Sequence, residues 1–308
     1  MGLIISAVVC THNRAGYLGK AVRSLVAQTL PKKDYEIIVV DNASDCDIAE
    51  IINGFTGKAD IHLIRESRLG LSYARNAGWR AARGEYVAFL DDDAVASENW
   101  LESILKVFEK TRPKPGCLTG KVEPIWEVPR PAWLSDSQLG YLAILNWSDS
   151  PRVLSKEQWL SGANMMFPKS ILEEYKGFDP NLGRRGAGLR SGEDILMQRQ
   201  LINGGHVCLY RPEIVVSHHI PASRLSIKWM IKRAFWQGVS DGFINTREEA
   251  QSVLRRLTKG LAALLRILLS PRELFSLVAG TEEPDRVSRA CSVAARMGGI
   301  LVLWGIVR

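Results

Sequence analysis

Three consecutive aspartates, Asp91, Asp92 and Asp93, directly follow an apolar segment at residues 86–90. This segment is apolar on both faces, which predicts a strand inside a sheet that is covered on both sides. Neighbouring carboxylates repel one another unless a cation lies among them, and a hard divalent ion carrying a phosphorylated ligand is the expected partner. The alternative is a solvated acidic turn before a helix that starts near Trp100, but three acids after a buried strand favour the metal site.

A second acidic group, Glu193 and Asp194, follows a glycine- and arginine-rich stretch at residues 183–192 and opens a predicted helix. Carboxylates in a first helical turn also stabilise the helix dipole, so a structural and a chemical role both stay open. Small residues at 161–164 precede another predicted strand. There, Gly162 and Asn164 would let the backbone approach a ligand.

Alternating strands and helices are predicted to position these groups. The predicted strands are residues 4–10, 35–40, 61–64 and 86–90, and the predicted helices are 17–28, 48–55 and 72–83. This alternation is typical of βαβ units in an α/β protein with a mostly parallel sheet, in which ligands bind at the carboxyl ends of the strands. Polar clusters end three of the strands and form a reasonable cradle for one nucleotide. G-x-G-x-x-G and Walker A loops do not occur, which argues against a dinucleotide oxidoreductase and a P-loop NTPase.

Charge and cysteine content narrow the function further. Residues 1–220 contain 26 basic and 26 acidic residues, whereas residues 221–308 contain 14 basic and 7 acidic ones. Because nucleic-acid binding needs a basic footprint on the folded domain, we expect no nucleic-acid partner. The five cysteines form no C-x-x-C pair, so neither a disulfide framework nor a zinc site is expected. With no basic leader at the N-terminus, these features predict a cytoplasmic protein.

Four tryptophans lie in the proline-rich stretch 112–160, which is predicted to form loops and short strands. Their flat rings could line a sugar groove, but we favour ordinary core packing for each of them. The four are Trp126, Trp133, Trp147 and Trp159.

Five sequence blocks occur in a fixed order along the chain. They are residues 7–14 (AVVCTHNR), 39–44 (VVDNAS), 70–78 (GLSYARNAG), 90–93 (LDDD) and 192–194 (GED). This ordered set resembles the family 2 glycosyltransferases of GT-A fold over about residues 3–240. The resemblance implies a mostly parallel central sheet flanked by helices. It also implies inverting transfer of a sugar from a nucleotide-diphosphate donor, which we expect to be UDP-linked.

The resemblance also assigns residue roles. The residues expected to bind the nucleotide sugar are Thr11, Asn13, Arg14, Asp41, Arg75, Asp91, Asp92, Gly162 and Asn164. Asp93 is expected to bind Mn²⁺ or Mg²⁺, which would stabilise the departing nucleoside diphosphate. His218 is expected to be a further metal ligand, chosen over His219 because it fits the family's V-x-H pattern. A surface ion pair is the alternative for Arg75.

The acidic pair is assigned to catalysis by the same resemblance. Asp194 is expected to be the general base that deprotonates the acceptor hydroxyl, and Glu193 would raise its pKa by like-charge repulsion. The Q-x-x-R-W block of processive synthases is missing after the pair, and there is no apolar run of 18 residues. Both absences predict single addition to a glycan or lipid-linked acceptor. The alternatives are a nucleotidyltransferase and a non-catalytic nucleotide-sugar-binding protein.

The predicted domain boundaries separate a GT-A domain at residues 1–222 from a basic helical region at 223–308. Within the first domain, a nucleotide-sugar half covers about residues 1–110 and an acceptor half about 111–222. Residues 253–269 predict a basic amphipathic helix suited to an anionic membrane surface, while the apolar run 299–307 is too short to span a bilayer. We expect peripheral attachment to the inner face of the cell membrane; a helical cap on the core or an oligomer interface is the alternative.

Overall fold

The structure is a computed structural model that describes residues 3–248, 252–278 and 282–307. Its strands are β1 (Ile5–Thr11), β2 (Tyr35–Asp41), β3 (Ile61–Arg65), β4 (Tyr86–Asp91), β5 (Ala94–Ala96), β6 (Cys117–Trp126), β7 (Arg152–Val153), β8 (Asn164–Pro168) and β9 (Cys208–Ile220). Its α-helices are α1 (Ala15–Val26), α2 (Ile48–Asn53), α3 (Leu71–Ala81), α4 (Trp100–Lys110), α5 (Lys169–Glu174), α6 (Glu193–Asn203), α7 (Ile227–Glu248), α8 (Val253–Leu268), α9 (Pro271–Val278) and α10 (Pro284–Leu303). Residues 1–2, 249–251, 279–281 and 308 of the predicted domains lie outside this description.

Strands β3, β2, β1 and β4 lie side by side in parallel and form the first half of the sheet. Every residue of β2 is buried, and β1 and β4 each have one partly exposed residue near the carboxyl end. Helix α3 packs on β1 and β2, so closely that a Cβ atom on Gly78 would lie 2.4 Å from Val8 Cγ1. The predicted helix-covered parallel sheet is therefore present in this half.

Strands β8, β6, β9 and β5 continue the sheet beyond β4, and β8 runs antiparallel to both β4 and β6. Strand β6 is longer than the short strands predicted for residues 112–160, and strand β9 contains 13 residues. The two strands approach so closely that a Cβ atom on Gly120 would lie 1.8 Å from the Ile214 carbonyl oxygen. Gly120 and Pro124 resemble loop residues in the sequence, but Gly120 is required here by the close backbone approach.

The described chain forms two compact units. The first contains the residues up to Ile125 together with Ala143–Gly186 and Glu193–His219. The second contains Trp126–Leu142, Ala187–Gly192 and the residues from Ile220 onward. The boundary after residue 219 lies near the predicted one at 222. Two segments that the sequence placed in the first domain belong to the second unit, because their packing is with the C-terminal helices.

Helices α7 and α10 form the centre of the second unit. They approach so closely that a Cβ atom on Gly238 would meet the Ala295 carbonyl oxygen at 1.7 Å. Helices α8 and α9 also pack against α10. Within the described ranges, no helix combines the length and the apolar character needed to cross a bilayer.

Three of the four tryptophans are packed in the protein interior or against it. Trp147 and Trp159 form an edge-to-face pair at 5.8 Å against the core of the first unit, and Trp147 Nε1 donates to the Trp159 carbonyl oxygen. Trp133 is buried in the second unit. Core packing, the favoured interpretation, describes these three residues.

Candidate active site

The polar residues that end the parallel strands lie along one edge of the sheet. In the strand register, Thr11 of β1 is opposite Asp41 of β2, and Cys10 is opposite Asp91 of β4. The acidic triplet therefore begins beside the end of β1.

Arg14 pairs with two carboxylates of the triplet. Its Nη1 atom lies 2.7 Å from Asp93 Oδ2 and 3.1 Å from Asp92 Oδ1, and the hydroxyl of Thr11 donates to Asp92 Oδ2 at 2.8 Å. Burial raises the pKa of Asp92 to about 7, although the charge of Arg14 acts in the opposite direction. Burial also disfavours the charge of Arg14, but the carboxylates of Asp93 and Asp92 outweigh it and raise its pKa. One guanidinium thus contacts both buried acids and offsets part of their charge.

His218 of β9 joins the triplet from the other end of the sheet. Strand β5 pairs with β9 so that Ala94 is opposite His218, and this register brings His218 Nε2 to 3.0 Å from Asp93 Oδ1. Asp91, Asp93 and His218 each offer one ligand atom, and these atoms lie within 4.8 Å of one another. Asp91, which the sequence assigned to the nucleotide, therefore belongs to the same group as the two predicted metal ligands.

This group has the donor chemistry of a divalent metal site. Carboxylate oxygens are common ligands of Mg²⁺ and Mn²⁺, and an added imidazole nitrogen suits a transition metal such as Mn²⁺ better than Mg²⁺. The Nδ1 atom of His218 is buried, and none of the described residues hydrogen-bonds to it. The ring of His219 instead lies 5.3 Å from the ring of Tyr17. His218 is thus the histidine that lies in one group with Asp91 and Asp93.

Arg75 links the acidic triplet to the acidic pair. From α3, its Nη1 atom donates to Glu193 Oε1, and its Nη2 atom lies 3.2 Å from both Asp91 Oδ1 and the Gly162 carbonyl oxygen. The side chains of Arg75 and Glu193 are only 3% and 4% exposed. The alternative of a surface ion pair is therefore wrong, since Arg75 is a buried residue with three acceptors.

Asp194 lies next to this ion pair at the start of α6. Its Oδ2 atom accepts a hydrogen bond from the backbone N–H of Gly162 at 3.1 Å, and its Oδ1 atom accepts one from Ile195 at 2.8 Å. Burial, and to a lesser extent the negative charge of Glu193, raises the pKa of Asp194 to about 7. The positive charge of Arg75 acts in the opposite direction. A half-buried carboxylate with a pKa close to neutrality can take up a proton at physiological pH.

Gly162 and Asn164 have different structural roles. A Cβ atom on Gly162 would lie 2.5 Å from Arg75 Nη2 and 3.2 Å from Asp194 Oδ2, so glycine permits the close packing of these groups. Asn164 is fully buried. Its Nδ2 atom donates to the carbonyl oxygens of Lys121 and Ile214, and its Oδ1 atom accepts from the Trp100 indole. The predicted donor contact by Asn164 is not supported, because its side-chain amide joins strands of the sheet.

Two further predicted donor-binding residues lie at the ends of β1 and β2. Asp41 is buried, and its Oδ1 atom accepts from the backbone N–H of Ser44 at 2.9 Å. Asn13 has a left-handed backbone with a φ of 55° and exchanges hydrogen bonds with Asp45. The two loops are thereby tied to each other.

Asn42 organises the loop between β3 and α3, a role that no sequence pattern indicated. Its Nδ2 atom donates to the carbonyl oxygens of Glu66 and Arg68, and its Oδ1 atom accepts from the N–H of Gly70 at 2.8 Å. These bonds fix the loop that leads into α3 and thus the position of Arg75. Its place directly after Asp41 at a strand end was the available signal, but its partners were not visible in the sequence.

Comparisons with known proteins identify the family of this chain. The sequence model of the family described as "Glycosyl transferase family 2" matches residues 6–175 of this chain. The glucosyl-dolichyl phosphate glucuronosyltransferase of Haloferax volcanii is 28% identical over 239 residues, which cover 77% of this chain and 75% of that protein. The succinoglycan biosynthesis protein ExoM of Rhizobium meliloti is 26% identical over 246 residues, covering 78% and 74% respectively.

Solved structures show the same fold at low sequence identity. The mannosyltransferase PcManGT of Pyrobaculum calidifontis, in complex with GDP-Man and Mn²⁺, matches with a TM-score of 0.64 and 17% identity, covering 96% of this chain and 86% of its own. S. aureus TarS 1-349 in complex with UDP-GlcNAc matches with a TM-score of 0.59 and 15% identity, covering 98% and 89% respectively. The predicted GT-A fold is confirmed, and the chain is a glycosyltransferase that belongs to glycosyl transferase family 2.

Proposed function

We propose that this enzyme transfers one sugar at a time, with inversion and with the help of a divalent metal, to a hydroxyl group of a glycan or lipid-linked acceptor. The observation that carries the proposal is the contact of Arg75 with both Asp91 and Glu193, at 3.2 Å for the Asp91 atom pair. Through this contact, the guanidinium of Arg75 links Asp91, which is suited to bind a metal, to Glu193, which is next to the proposed base. A donor bound at the first group would then lie near the second.

In this proposal Asp194 is the general base. Its carboxylate is half-buried, its pKa is raised to about 7, and two backbone N–H groups fix its orientation. It takes the proton of the acceptor hydroxyl while that oxygen attacks the anomeric carbon. The bond from the anomeric carbon to the diphosphate breaks, and the nucleoside diphosphate leaves with the electron pair. One displacement inverts the anomeric centre, and no covalent intermediate is needed.

Asp93, His218 and Asp91 would hold the metal, which supplies positive charge to the diphosphate of the donor. The residues at the ends of β1, β2 and β4, or in the loops that follow, are proposed to bind the nucleotide. They are Thr11, Asn13, Arg14, Asp41 and Asp92. We assign Arg75 to the positioning of Glu193 and Asp91, because its guanidinium is buried between them.

The donor and the acceptor are proposed at the level of chemical class. The names of the compared proteins include UDP-GlcNAc for TarS, GDP-Man for PcManGT and glucosyl-dolichyl phosphate for the Haloferax volcanii relative. We propose a UDP-linked sugar as the donor and a lipid-linked glycan or polysaccharide unit as the acceptor. Transfer then takes place at the cytoplasmic face of the cell membrane.

A binding screen tests the proposal without knowledge of the acceptor. The purified protein is heated with UDP-, GDP- and dTDP-linked sugars, each with and without Mn²⁺, because a ligand that binds the folded state raises the melting temperature. We expect a Mn²⁺-dependent rise with at least one UDP-sugar. The Asp93→Ala variant should lose this rise, and the Asp194→Asn variant should keep it. The control is Asp136→Asn, a change in a side chain that is 86% exposed.

Slow donor hydrolysis then tests the chemistry, with water in place of the acceptor. Early proton NMR spectra identify the released anomer before it equilibrates in solution. We expect the β-sugar from an α-linked donor, and a loss of hydrolysis in both the Asp93→Ala and the Asp194→Asn variants. Release of the α-sugar would refute inversion, and unchanged hydrolysis in both variants would refute the site assignment.

A further inference from the structure

Helix α8 has two apolar faces, and the described residues cover only one of them. On its inner face, Ile267 packs with Val293 and Ile300 of α10 in a small core to which Leu264 also contributes. Gly260 lies on the same side, where a Cβ atom would meet the Trp304 ring at 2.3 Å. This face anchors α8 within the second unit.

The outer face of α8 is a row of exposed leucines. Their spacing of three or four residues places them on one side of the helix. The row consists of Leu254 (72% exposed), Leu257 (45%), Leu261 (52%), Leu265 (46%) and Leu268 (51%). Leucine side chains are usually buried in folded proteins, and a contiguous exposed apolar surface marks a binding site. We call these five residues the leucine row.

The exposed surface of α8 also carries cations, on a side of the helix that is separate from the leucine row. Arg255, Lys259 and Arg266 are exposed on α8, and their spacing of four and seven residues places them together on another side of the helix. The sequence of α8, Val253–Leu268, contains no acidic residue. The long basic side chains can extend toward a negative surface while the leucines enter an apolar layer.

We propose that the leucine row of α8 is the surface through which this enzyme binds an anionic lipid membrane. The helix would lie in the plane of the interface, with the leucines among the acyl chains and the basic side chains at the lipid headgroups. A second copy of the chain fits this surface less well, because residues 221–308 contain 14 basic and 7 acidic residues and two such regions repel each other. The inference extends the proposed membrane location to a specific surface and does not depend on the transfer chemistry.

Vesicle sedimentation tests this surface with the full-length protein. Vesicles of phosphatidylcholine with 30% phosphatidylglycerol are compared with vesicles of phosphatidylcholine alone, at low and high salt. We expect the protein to sediment with the anionic vesicles and to be released from them by salt. The triple variant Leu257→Ser, Leu261→Ser and Leu265→Ser should lower the partition coefficient at least tenfold. The charge variant Arg255→Glu, Lys259→Glu and Arg266→Glu should remove the preference for anionic lipid.

The control for the leucine variant is the pair Leu63→Ser and Val153→Ser, which changes exposed apolar residues of the first unit. It should sediment like the unchanged protein. Donor-induced thermal shifts of all variants report separately on the proposed function and on folding. The inference is overturned if the unchanged protein stays in solution with anionic vesicles, or if the leucine variant binds them equally well. Conversion of a dimer to a monomer by the leucine variant, without vesicle binding by either form, would assign the row to a second copy instead.

Discussion

Arg75 and Glu193 form a buried ion pair, although 118 residues separate them along the chain. The same guanidinium lies 3.2 Å from Asp91 in the group suited to a metal. Burial disfavours the charge of Arg75, but Glu193 and Asp91 outweigh it and raise its pKa. One cation therefore holds acids from α6 and from the end of β4.

Removal of Arg75 should destabilise the fold strongly. Arg75→Met leaves the buried Glu193 without its counter-charge, which typically costs about 3–5 kcal/mol in the free energy of unfolding. Arg130→Met is the control, since it breaks an exposed pair with Asp136 and should cost under about 1 kcal/mol. Urea denaturation measures both values. Equal losses in the two variants would contradict the role of Arg75 as a buried positioning residue.

The rate of donor hydrolysis should rise with pH through a midpoint near 7. Only the ionised form of Asp194 accepts a proton, and its pKa is raised to about 7 by burial and by Glu193. The Glu193→Gln variant removes the like charge and should move the midpoint to lower pH. The pKa of Asp92 is also raised to about 7, but by burial and by the charges of Asp93 and Asp91 rather than by Glu193. If the Glu193→Gln variant keeps the same midpoint, the group that titrates is therefore not Asp194.

His218 and His219 should differ in their effect on metal binding. His218→Ala removes a nitrogen that lies 3.0 Å from Asp93, and we expect Mn²⁺ affinity to fall about tenfold or more. His219→Ala removes a ring that packs on Tyr17 and should leave the Mn²⁺ affinity nearly unchanged. Electron paramagnetic resonance of free Mn²⁺ measures both affinities. The opposite order would exchange the two histidines as ligands.

Arg14 should compete with a metal ion for the triplet. Its guanidinium lies 2.7 Å from Asp93, so Arg14→Ala removes a positive charge from the edge of the metal group. We expect the Arg14→Ala variant to bind Mn²⁺ more tightly when no nucleotide is present. We also expect it to bind the donor more weakly, because Arg14 is proposed to contact the donor. Isothermal titration with Mn²⁺ alone, and then with donor, separates these effects. Weaker binding of Mn²⁺ alone would show that Arg14 supports the metal site.

Gly162 should be intolerant of a side chain. In Gly162→Ala the new Cβ atom would meet Arg75 Nη2 at 2.5 Å and displace it from Gly162 and Asp91, so hydrolysis should fall at least tenfold. Gly19→Ala in α1 is the control. Its Cβ atom would meet Ile51 at an ordinary 3.8 Å, and its stability should rise by about 0.5–1 kcal/mol through the gain in helix propensity. A Gly162→Ala enzyme as active as the control would contradict the tight packing at this position.

The parallel half of the fold could be predicted because its strands are continuous apolar runs between helices of clear periodicity. Residues 86–90 are one such run, and β4 extends over Tyr86–Asp91. The position of the acids also followed from chain order, since carboxyl ends of parallel strands meet at one edge. The partners of Arg75 did not follow, because an ion pair over 118 residues leaves no local signal.

The antiparallel half was less predictable for a related reason. Strand β9 spans Cys208–Ile220 and includes the charged residues Arg211 and Glu213, which hide its length in a search for apolar runs. The role of Asn164 was missed because its three hydrogen bonds go to β6, β9 and α4, whose proximity is a property of the folded sheet. Sequence patterns report burial well and long-range pairing poorly.

The contact between Asp93 and His218 spans 125 residues and has a consequence for protein synthesis. The family model matches residues 6–175. A nascent chain that ends at residue 175 contains the acidic triplet but neither Asp194 nor His218. The growing polypeptide cannot assemble the proposed centre until β9 has left the exit tunnel. Under the proposed assignment, we therefore expect unfinished copies of this enzyme not to transfer sugar.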